Sequence, residues 1–228
     1  MKSTSMLTEM VFILDRSGSM TGLEDDTIGG FNSLIQRQKK EDGDAVVTTV
    51  LFDTASDVVY DRVPLDEVPR MTEYVYRTGG CTALLDTLGK TIERIRIIQN
   101  HLPAEYRPDK TIVVVITDGK ENTSRLYDQH TVRQMIERQQ KKDGWEFLFL
   151  GANMDAVTEA GHLGIRPERA VEYVCDEEGT AMNFRAVSHF MSCARCMDPL
   201  GVLSETDDEW KKDIEQYARS QKKGNRNG

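Results

Sequence analysis

The sequence predicts an α/β protein in which a mainly parallel β-sheet is covered by helices on both faces. Three short segments are apolar at every position, as is typical of strands that are buried on both sides. Longer segments with helical periodicity lie between them. Strands that alternate with helices in this way indicate an α/β architecture, because each crossover places a helix against one face of the sheet.

Each of the three apolar segments ends at a polar residue or a glycine. They are residues 10–14 before Asp15, residues 112–116 shortly before Asp118, and residues 147–150 before Gly151. Their β-branched and aromatic side chains favour strands over helices. A weaker strand is expected at residues 170–174.

A further strand, residues 46–52, is followed by a hairpin. The polar residues 53–57 lead directly into the apolar residues 58–60. A link this short permits an antiparallel pair but not a parallel crossover. Pro64 follows soon afterwards and is consistent with an edge strand.

Helical patterns fill the intervals between these strands. Residues 25–39 begin with acids and end with lysines, as the helix dipole favours. Residues 84–102 carry leucine and isoleucine at spacings of three and four, which gives one apolar stripe. Apolar positions at 132–136 precede Gly144, a typical helix end. Trp210, Ile214 and Tyr217 share one face of a final helix that we expect to pack on the body of the protein.

The length and charge restrict the class of protein. We expect residues 1–204 to form one domain of the 228-residue chain, and residues 205–228 to form an amphipathic helix and a frayed basic tail docked on that domain. A net charge of −9 argues against a nucleic-acid partner. No apolar run is long enough to cross a membrane, and the first residues do not resemble a secretory signal. These features predict a cytoplasmic protein.

Three segments of the sequence contain candidate oxygen ligands, two of them at predicted strand ends and one just before a predicted helix. Asp15, Ser17 and Ser19 follow the first strand in the sequence Asp-Arg-Ser-Gly-Ser, Thr82 follows a glycine pair, and Asp118 follows the strand at 112–116. Ligands of α/β sheets bind beyond the carboxyl ends of the strands. Carboxylates and hydroxyls are hard donors that suit Mg²⁺ or Mn²⁺ better than Zn²⁺.

The charge of this donor set predicts what else the metal would bind. Two aspartates neutralise a divalent ion, and the hydroxyls are weak, uncharged donors. Because Mg²⁺ keeps exchangeable waters, an incoming carboxylate can displace one of them. The sequence therefore favours a metal site that binds an anionic group of a partner.

Together, Asp15 to Ser19, Thr82 after Gly79 and Gly80, and Asp118 with Gly119 resemble the metal-ion-dependent adhesion site (MIDAS) of von Willebrand factor A domains. The resemblance covers residues 7–175, with intracellular bacterial or phage members as the most similar group. It implies a doubly wound, Rossmann-like three-layer sandwich of six strands in the order 3-2-1-4-5-6, with one antiparallel edge strand. It also implies that Ser17, Ser19 and Thr82 donate hydroxyls, and that Asp15 and Asp118 act directly or through water.

The function that follows is a Mg²⁺-dependent protein-binding module without enzymatic activity. The partner protein would supply an Asp or Glu carboxylate. Two alternatives remain open, a Mg²⁺-dependent phosphohydrolase and a metal-free interaction scaffold. Against the phosphohydrolase, no second aspartate lies two residues after Asp15, and no nucleophile is paired with a base.

Local alternatives also exist for the individual residues. Asp15 could begin a turn, and Thr82 could cap a helix. The acids at 24–26 could form an acidic rim, although a helix start explains them better. His189, Cys193 and Cys196 share a helical face that could hold zinc, but buried structural thiols are the favoured interpretation.

Overall fold

The structure, a computed structural model, describes residues 6–196 and 208–224. Its strands are β1 (Leu7–Asp15), β2 (Asp44–Phe52), β3 (Ser56–Pro64), β4 (Lys110–Thr117), β5 (Glu146–Ala152) and β6 (Ala170–Tyr173). The α-helices of the described ranges are α1 (Glu24–Gln38), α2 (Leu84–His101), α3 (Gln129–Asp143), α4 (Ala156–His162), α5 (Glu177–Cys196) and α6 (Lys212–Gly224).

The strands form one sheet in the order β3-β2-β1-β4-β5-β6. Strand β1 is parallel to both β2 and β4, β5 is parallel to β4 and β6, and only β3 is antiparallel to its neighbour. The predicted α/β class and the strand order implied by the resemblance are both confirmed. The order reverses between β1 and β4, which is where a doubly wound sheet leaves a crevice beyond the strand ends.

Alternate side chains of β1 enter two separate cores on the two faces of the sheet. Met10, Phe12 and Leu14 pack with side chains of α1 and α5, whereas Val11 and Ile13 pack with side chains of α2 and α3. All five are at most 1% exposed. Burial on both faces explains why the sequence of this strand is apolar at every position.

The helix ends follow the capping chemistry of the sequence. The Asp128 side chain accepts a hydrogen bond of 2.7 Å from the Thr131 backbone N–H at the start of α3, and Gly144 ends that helix in the left-handed conformation with φ 64°. Asp155 caps α4 in the same way through the N–H of Thr158. The sequence patterns did not predict α4, because a helix of seven residues is too short to show a periodic stripe.

The last helix packs against β6 and α5. The Trp210 indole N–H donates to the Glu168 carbonyl at 3.0 Å, and its ring meets Phe190 edge-on at 5.9 Å. Ile214 is 1% exposed, and the Tyr217 hydroxyl donates to Asp176 Oδ2 at 2.9 Å. The expected boundary between residues 1–204 and 205–228 lies outside the described residues, as does the tail after Gly224.

The described helices were compared with the length and hydrophobicity of membrane-spanning helices. Within residues 6–196 and 208–224, none combines the length and the apolar character that a membrane-spanning helix needs.

Candidate metal centre

Two buried aspartates lie at the ends of the two central strands. Asp15 is the last residue of β1, and Asp118 directly follows the last residue of β4. Their residues are 1% and 5% exposed, respectively. Because β1 and β4 are parallel neighbours, both carboxylates lie at the same edge of the sheet, in the crevice where the strand order reverses.

Hydrogen bonds fix the Asp15 carboxylate on both of its oxygens. Oδ1 accepts from the backbone N–H of Ser17 at 2.7 Å, and Oδ2 accepts from the Thr117 hydroxyl at 2.5 Å. Burial raises the pKa of Asp15, the hydrogen bonds from Thr117 and Ser17 oppose this rise, and the charge of Asp118 adds to it. Asp15 does begin a tight turn, as one sequence interpretation proposed, and that turn brings the two serines toward Asp118.

A chain of short contacts joins the serines to Asp118. The hydroxyl oxygens of Ser17 and Ser19 are 3.1 Å apart, and the Ser19 hydroxyl donates to Asp118 Oδ1 at 2.6 Å. Ser17 is buried, whereas Ser19 is exposed. The centre is therefore open to solvent on the side of Ser19.

Thr82 reaches the same place from a separate loop. Its backbone N–H donates to the Asn122 side chain, and its carbonyl accepts from the Asn122 N–H, each at 3.1 Å. A Cβ at Gly119 would lie 2.8 Å from the Thr82 hydroxyl oxygen and 3.6 Å from that of Ser19. Position 119 must therefore be glycine for the threonine and serine hydroxyls to meet beside Asp118.

Thr82 is not a helix cap. The first residue of α2 is Leu84, its N-cap is Ala83, and no side-chain cap bond forms there. The free N–H groups of the helix start are satisfied by the segment after Asp118: Leu85 donates to Glu121 Oε2 at 2.8 Å, and Asp86 donates to the Ser124 hydroxyl at 3.0 Å. Among the described residues, no group hydrogen-bonds the Thr82 hydroxyl, which leaves this oxygen available as a ligand.

The glycine pair before Thr82 joins its loop to the serine loop. Gly79 donates its N–H to the Arg16 carbonyl at 2.8 Å, and the Gly80 carbonyl accepts from the Gly18 N–H at 3.1 Å. Gly80 has φ 75°, and a Cβ there would lie 2.8 Å from the Thr54 hydroxyl. A side chain at position 80 would be strained and would displace the Thr82 loop.

The residues around the centre fit a divalent cation. In the described part of the chain, no lysine, arginine or histidine pairs with Asp15 or Asp118, so the structure brings two buried carboxylates together without a positive neighbour. Buried charges without a counter-charge are costly. A hard divalent ion matches both the charge and the oxygen donors present.

Several charged groups near the loops are engaged elsewhere. Arg16 forms ion pairs with Asp53 at 2.9 Å and with Asp57 at 2.5 Å. Glu24 accepts from the Gly22 N–H at 2.7 Å and from the Thr78 hydroxyl at 2.5 Å, and the Thr78 bond lowers the pKa of Glu24. Glu24 thus ties α1 to the loop before Thr82, rather than forming an open acidic rim.

Sequence reasoning missed the residues that support the ligands. The Tyr76 hydroxyl donates to the Asp15 carbonyl at 2.5 Å, and the Cys175 sulfur lies 3.7 Å from Asp118 Oδ2. Burial and the neighbouring charge of Asp118 raise the pKa of the Cys175 thiol to about 12. Only Thr117, next to Asp118 in the chain, was detectable from the sequence; the others come from distant loops.

The possible zinc site at the end of α5 gains no support from the geometry. Cys193 Sγ and His189 Nε2 are 3.8 Å apart. However, the described ranges contain no group of three or more His, Cys, Asp or Glu side chains placed to hold a metal ion. The candidate centre at Asp15 and Asp118 likewise has only two carboxylates among the described residues, with the serine hydroxyls as its other side-chain oxygens.

Solved structures share this fold. Proximal thread matrix protein 1 from the mussel byssus aligns with a TM-score of 0.56 at 16% identity, over 82% of this chain and 47% of that chain. A structure of the same mussel protein with a zinc-occupied MIDAS motif aligns with a TM-score of 0.54 at 15% identity, over 84% and 47% of the two chains. A von Willebrand factor type A protein from Catenulispora acidiphila aligns with a TM-score of 0.55 at 18% identity, over 82% and 43%.

These likenesses define the fold class. No protein-family model matches the chain, and no curated protein matches it by sequence. The chain spans less than half the length of the three solved structures described above. The chain has the fold of a von Willebrand factor A domain, which agrees with the resemblance carried by its sequence motifs.

Proposed function

We propose that the protein is a module that binds a partner protein through a divalent cation. Asp15, Ser17, Ser19, Thr82 and Asp118 would hold Mg²⁺ or Mn²⁺, and an Asp or Glu carboxylate of the partner would complete the site. The observation that carries the proposal is the convergence of two buried carboxylates with serine hydroxyls and no cationic side chain among the described residues. The zinc found in the MIDAS motif of the mussel protein supports a divalent ion at this place in the fold.

A metal ion held by these residues would be able to bind one more anionic ligand. Asp15 and Asp118 would balance the two positive charges of a bound divalent ion, and the hydroxyls would add no further negative charge. Ser19 is exposed, and the Thr82 hydroxyl has no hydrogen-bond partner in the described residues. An incoming carboxylate can therefore approach from the Ser19 side without breaking a hydrogen bond of Thr82.

The surroundings of the site support binding rather than catalysis. The chain has four histidines, and each contacts a group outside the site: Ile97 for His101, Gln134 for His130, Glu159 for His162 and Cys193 for His189. Within the described ranges, no histidine or lysine contacts Ser17 or Ser19, and the one carboxylate beside Ser19, that of Asp118, is needed to hold the metal in this proposal. We therefore propose a module without enzymatic activity.

Metal titration tests the first half of the proposal. Isothermal titration of chelator-treated protein with Mg²⁺ and with Mn²⁺ should show one site, and Asp15→Ala or Asp118→Ala should abolish it. Asp213→Ala, which removes an exposed acid from α6, is the charge-matched control and should bind as wild type does. Equal binding by all four proteins would refute the assignment.

Carboxylate binding tests the second half. Acetate is a suitable probe, because Mn²⁺ bound to the protein broadens the NMR signal of an acetate methyl group that reaches the metal. The broadening with protein and Mn²⁺ together should exceed that given by the same concentration of Mn²⁺ without protein, and this excess should fall in Thr82→Ala. Turnover of p-nitrophenyl phosphate with Mg²⁺ would instead support the phosphohydrolase, and failure to bind any metal would support the scaffold.

A further inference from the structure

An apolar cavity of about 170 Å³ opens beside the candidate metal centre. Its apolar wall comes from three parts of the fold, namely the start of α2, strand β5 and the region of α4. The side chains concerned are Leu84, Leu85, Phe149, Met154 and Leu163. Polar groups occur mainly at its edge, where Lys120, Glu121, Gln129 and Glu159 complete the lining.

The cavity and the metal centre adjoin at two segments, the one that follows Thr82 and the one that follows Asp118. Gly119, which directly follows Asp118, lines the cavity, and a Cβ on it would touch the Thr82 hydroxyl. Leu84 and Leu85, which follow Thr82 closely, form another part of the wall. A group bound at the metal and a group in the cavity would therefore lie side by side on one surface.

The size of the cavity restricts its occupant. Sites for drug-sized molecules usually measure about 300–1,000 Å³, well above the volume found here. A dry apolar cavity of about 150 Å³ accepts a guest the size of benzene. One aliphatic side chain, such as that of leucine, isoleucine or methionine, has the matching size and polarity.

The mouth of the cavity is loosely closed. Lys120 Nζ and Glu159 Oε1 are 4.0 Å apart, and their side chains are 68% and 36% exposed. Exposed pairs of this kind contribute little to stability, so an entering group can separate them at small cost. By contrast, Glu121 is held in place by bonds to the Leu85 N–H and the Ser124 hydroxyl.

We propose that this cavity selects the partner of the metal-dependent interaction. The carboxylate that completes the metal site would belong to an Asp or Glu, and a neighbouring residue of the partner would insert an aliphatic side chain between Leu85, Met154 and Leu163. This inference rests on the proposed function, since it names the partner segment that the same site would recognise.

Short blocked peptides test the inference with the intact chain. The probes are Gly-Asp-Leu-Gly and Gly-Leu-Asp-Gly, with Gly-Asp-Ala-Gly and Gly-Ala-Asp-Gly as matched controls. Titration in the presence of Mg²⁺, followed by NMR shifts, should show that one of the leucine peptides binds about tenfold more tightly than its alanine control, because leucine buries additional apolar area. The preference should disappear when EDTA removes Mg²⁺.

Two cavity variants make the test specific. Leu85 is half-buried, so Leu85→Trp would fill the cavity and should remove the preference for leucine. Val58→Trp adds the same side chain on the edge strand β3 at an exposed position, and should keep the preference. Met154→Trp, which fills the cavity from the opposite wall, replaces Leu85→Trp if that variant does not fold.

The results separate the two proposals. Suppose that Mg²⁺ binds, but leucine and alanine peptides bind alike or no peptide binds at millimolar concentration. The cavity is then not a selectivity site, and the proposed metal function is judged by the acetate experiment alone. If leucine selectivity survives in both cavity variants, the aliphatic side chain binds elsewhere and the inference is wrong. If no Mg²⁺ binds, both proposals fail together.

Discussion

The Ser19 hydroxyl donates a hydrogen bond of 2.6 Å to the Asp118 carboxylate, although 99 residues separate the two in the chain. The contact forms because β1 and β4, which lead to these residues, are parallel neighbours in the sheet. Because the serine hydroxyl is neutral, the contact leaves the negative charge of Asp118 uncompensated. This arrangement and the loops that support it have measurable consequences.

Replacing Asp118 by asparagine should distinguish two effects of its charge, the destabilisation of the metal-free fold and the binding of Mg²⁺. The asparagine side chain would still accept from Ser19, but the repulsion between positions 15 and 118 would be gone. We expect Asp118→Asn to melt at a higher temperature than wild type in EDTA, by a few degrees for a gain of about 1 kcal/mol. Added Mg²⁺ should raise the melting temperature of wild type and leave that of the variant unchanged.

Scanning calorimetry with and without Mg²⁺ measures both effects. Asp213→Asn on α6 serves as the control, since that side chain is exposed and remote in sequence from the strand ends. A variant that is less stable than wild type in EDTA would show that the Asp118 charge stabilises the metal-free fold, contrary to our account.

Gly119→Ala should disturb the centre without removing a ligand. The new methyl group would lie 2.8 Å from the Thr82 hydroxyl oxygen, so that hydroxyl must move. We expect Mg²⁺ affinity to fall by about tenfold, as is common when a ligand loses its support. Isothermal titration measures the change.

The matched control is Gly161→Ala in α4, where a Cβ meets no atom within 4 Å. A glycine replaced by alanine inside a helix usually adds about 0.5–1 kcal/mol of stability, and no change in Mg²⁺ affinity is expected. Equal affinity in Gly119→Ala would mean that Thr82 does not contribute to metal binding.

Asp86 should make the stability depend on pH. Burial alone would raise its pKa, but hydrogen bonds from the backbone N–H groups of residues 125–127, at 2.8–3.0 Å, outweigh it and lower the pKa below the ordinary value of 3.8. Asp86 therefore stabilises the fold fully above its unfolded pKa, and this contribution is lost as pH falls through the lower folded pKa.

The comparison of wild type with Asp86→Asn by urea unfolding tests this relation. The variant should lose about 1–3 kcal/mol at pH 7, and the difference should shrink as the solution is acidified below the unfolded pKa. Asp61→Asn, at an exposed pair with Arg94, should cost about 1 kcal/mol or less. A loss in Asp86→Asn that stays constant down to a pH of about 2 would contradict the role of the charge.

Trp210→Ala should destabilise the whole fold while sparing the metal centre. The indole packs on Phe190, is 5% exposed and donates to the Glu168 carbonyl. Removal of a buried aromatic side chain costs about 3–5 kcal/mol. Thermal melts should show this loss, and Tyr106→Ala, at a side chain 62% exposed, should show almost none. If Trp210→Ala melts like wild type, the contacts of Trp210 with Phe190 and Glu168 do not stabilise the domain.

The sequence predicted the sheet well because its strands carry strong local signals. Strands β1, β4 and β5 are apolar at successive positions, and these runs located Asp15 and Asp118 at strand ends. That the two strands are neighbours was implied by the family resemblance. Thr82 depended on a glycine pair and on a family resemblance, since its loop has no periodic pattern. The structure brings these residues together, and their role as metal ligands stays a prediction.

The supporting contacts could not be predicted, because each joins two loops that are distant in the chain. Asn122 binds Thr82 across 40 residues, and Tyr76 binds the Asp15 carbonyl across 61. Neither residue type nor spacing identifies such a pair. The apolar cavity was also undetectable, since its wall combines side chains from separate helices and strands that each look like ordinary core residues.

The two hydrogen bonds between Thr82 and Asn122 have a consequence for protein engineering. Leu85 also binds Glu121, and Asp86 binds Ser124 and the backbone of residues 125–127, so the start of α2 and the segment after Asp118 are tied together at several points. A designer who transplants only the five oxygen-bearing residues into another α/β scaffold would leave Thr82 unanchored. The transferable unit is larger and consists of the serine loop, residues 15–19, together with both of these segments, residues 82–86 and 117–127, grafted as one piece.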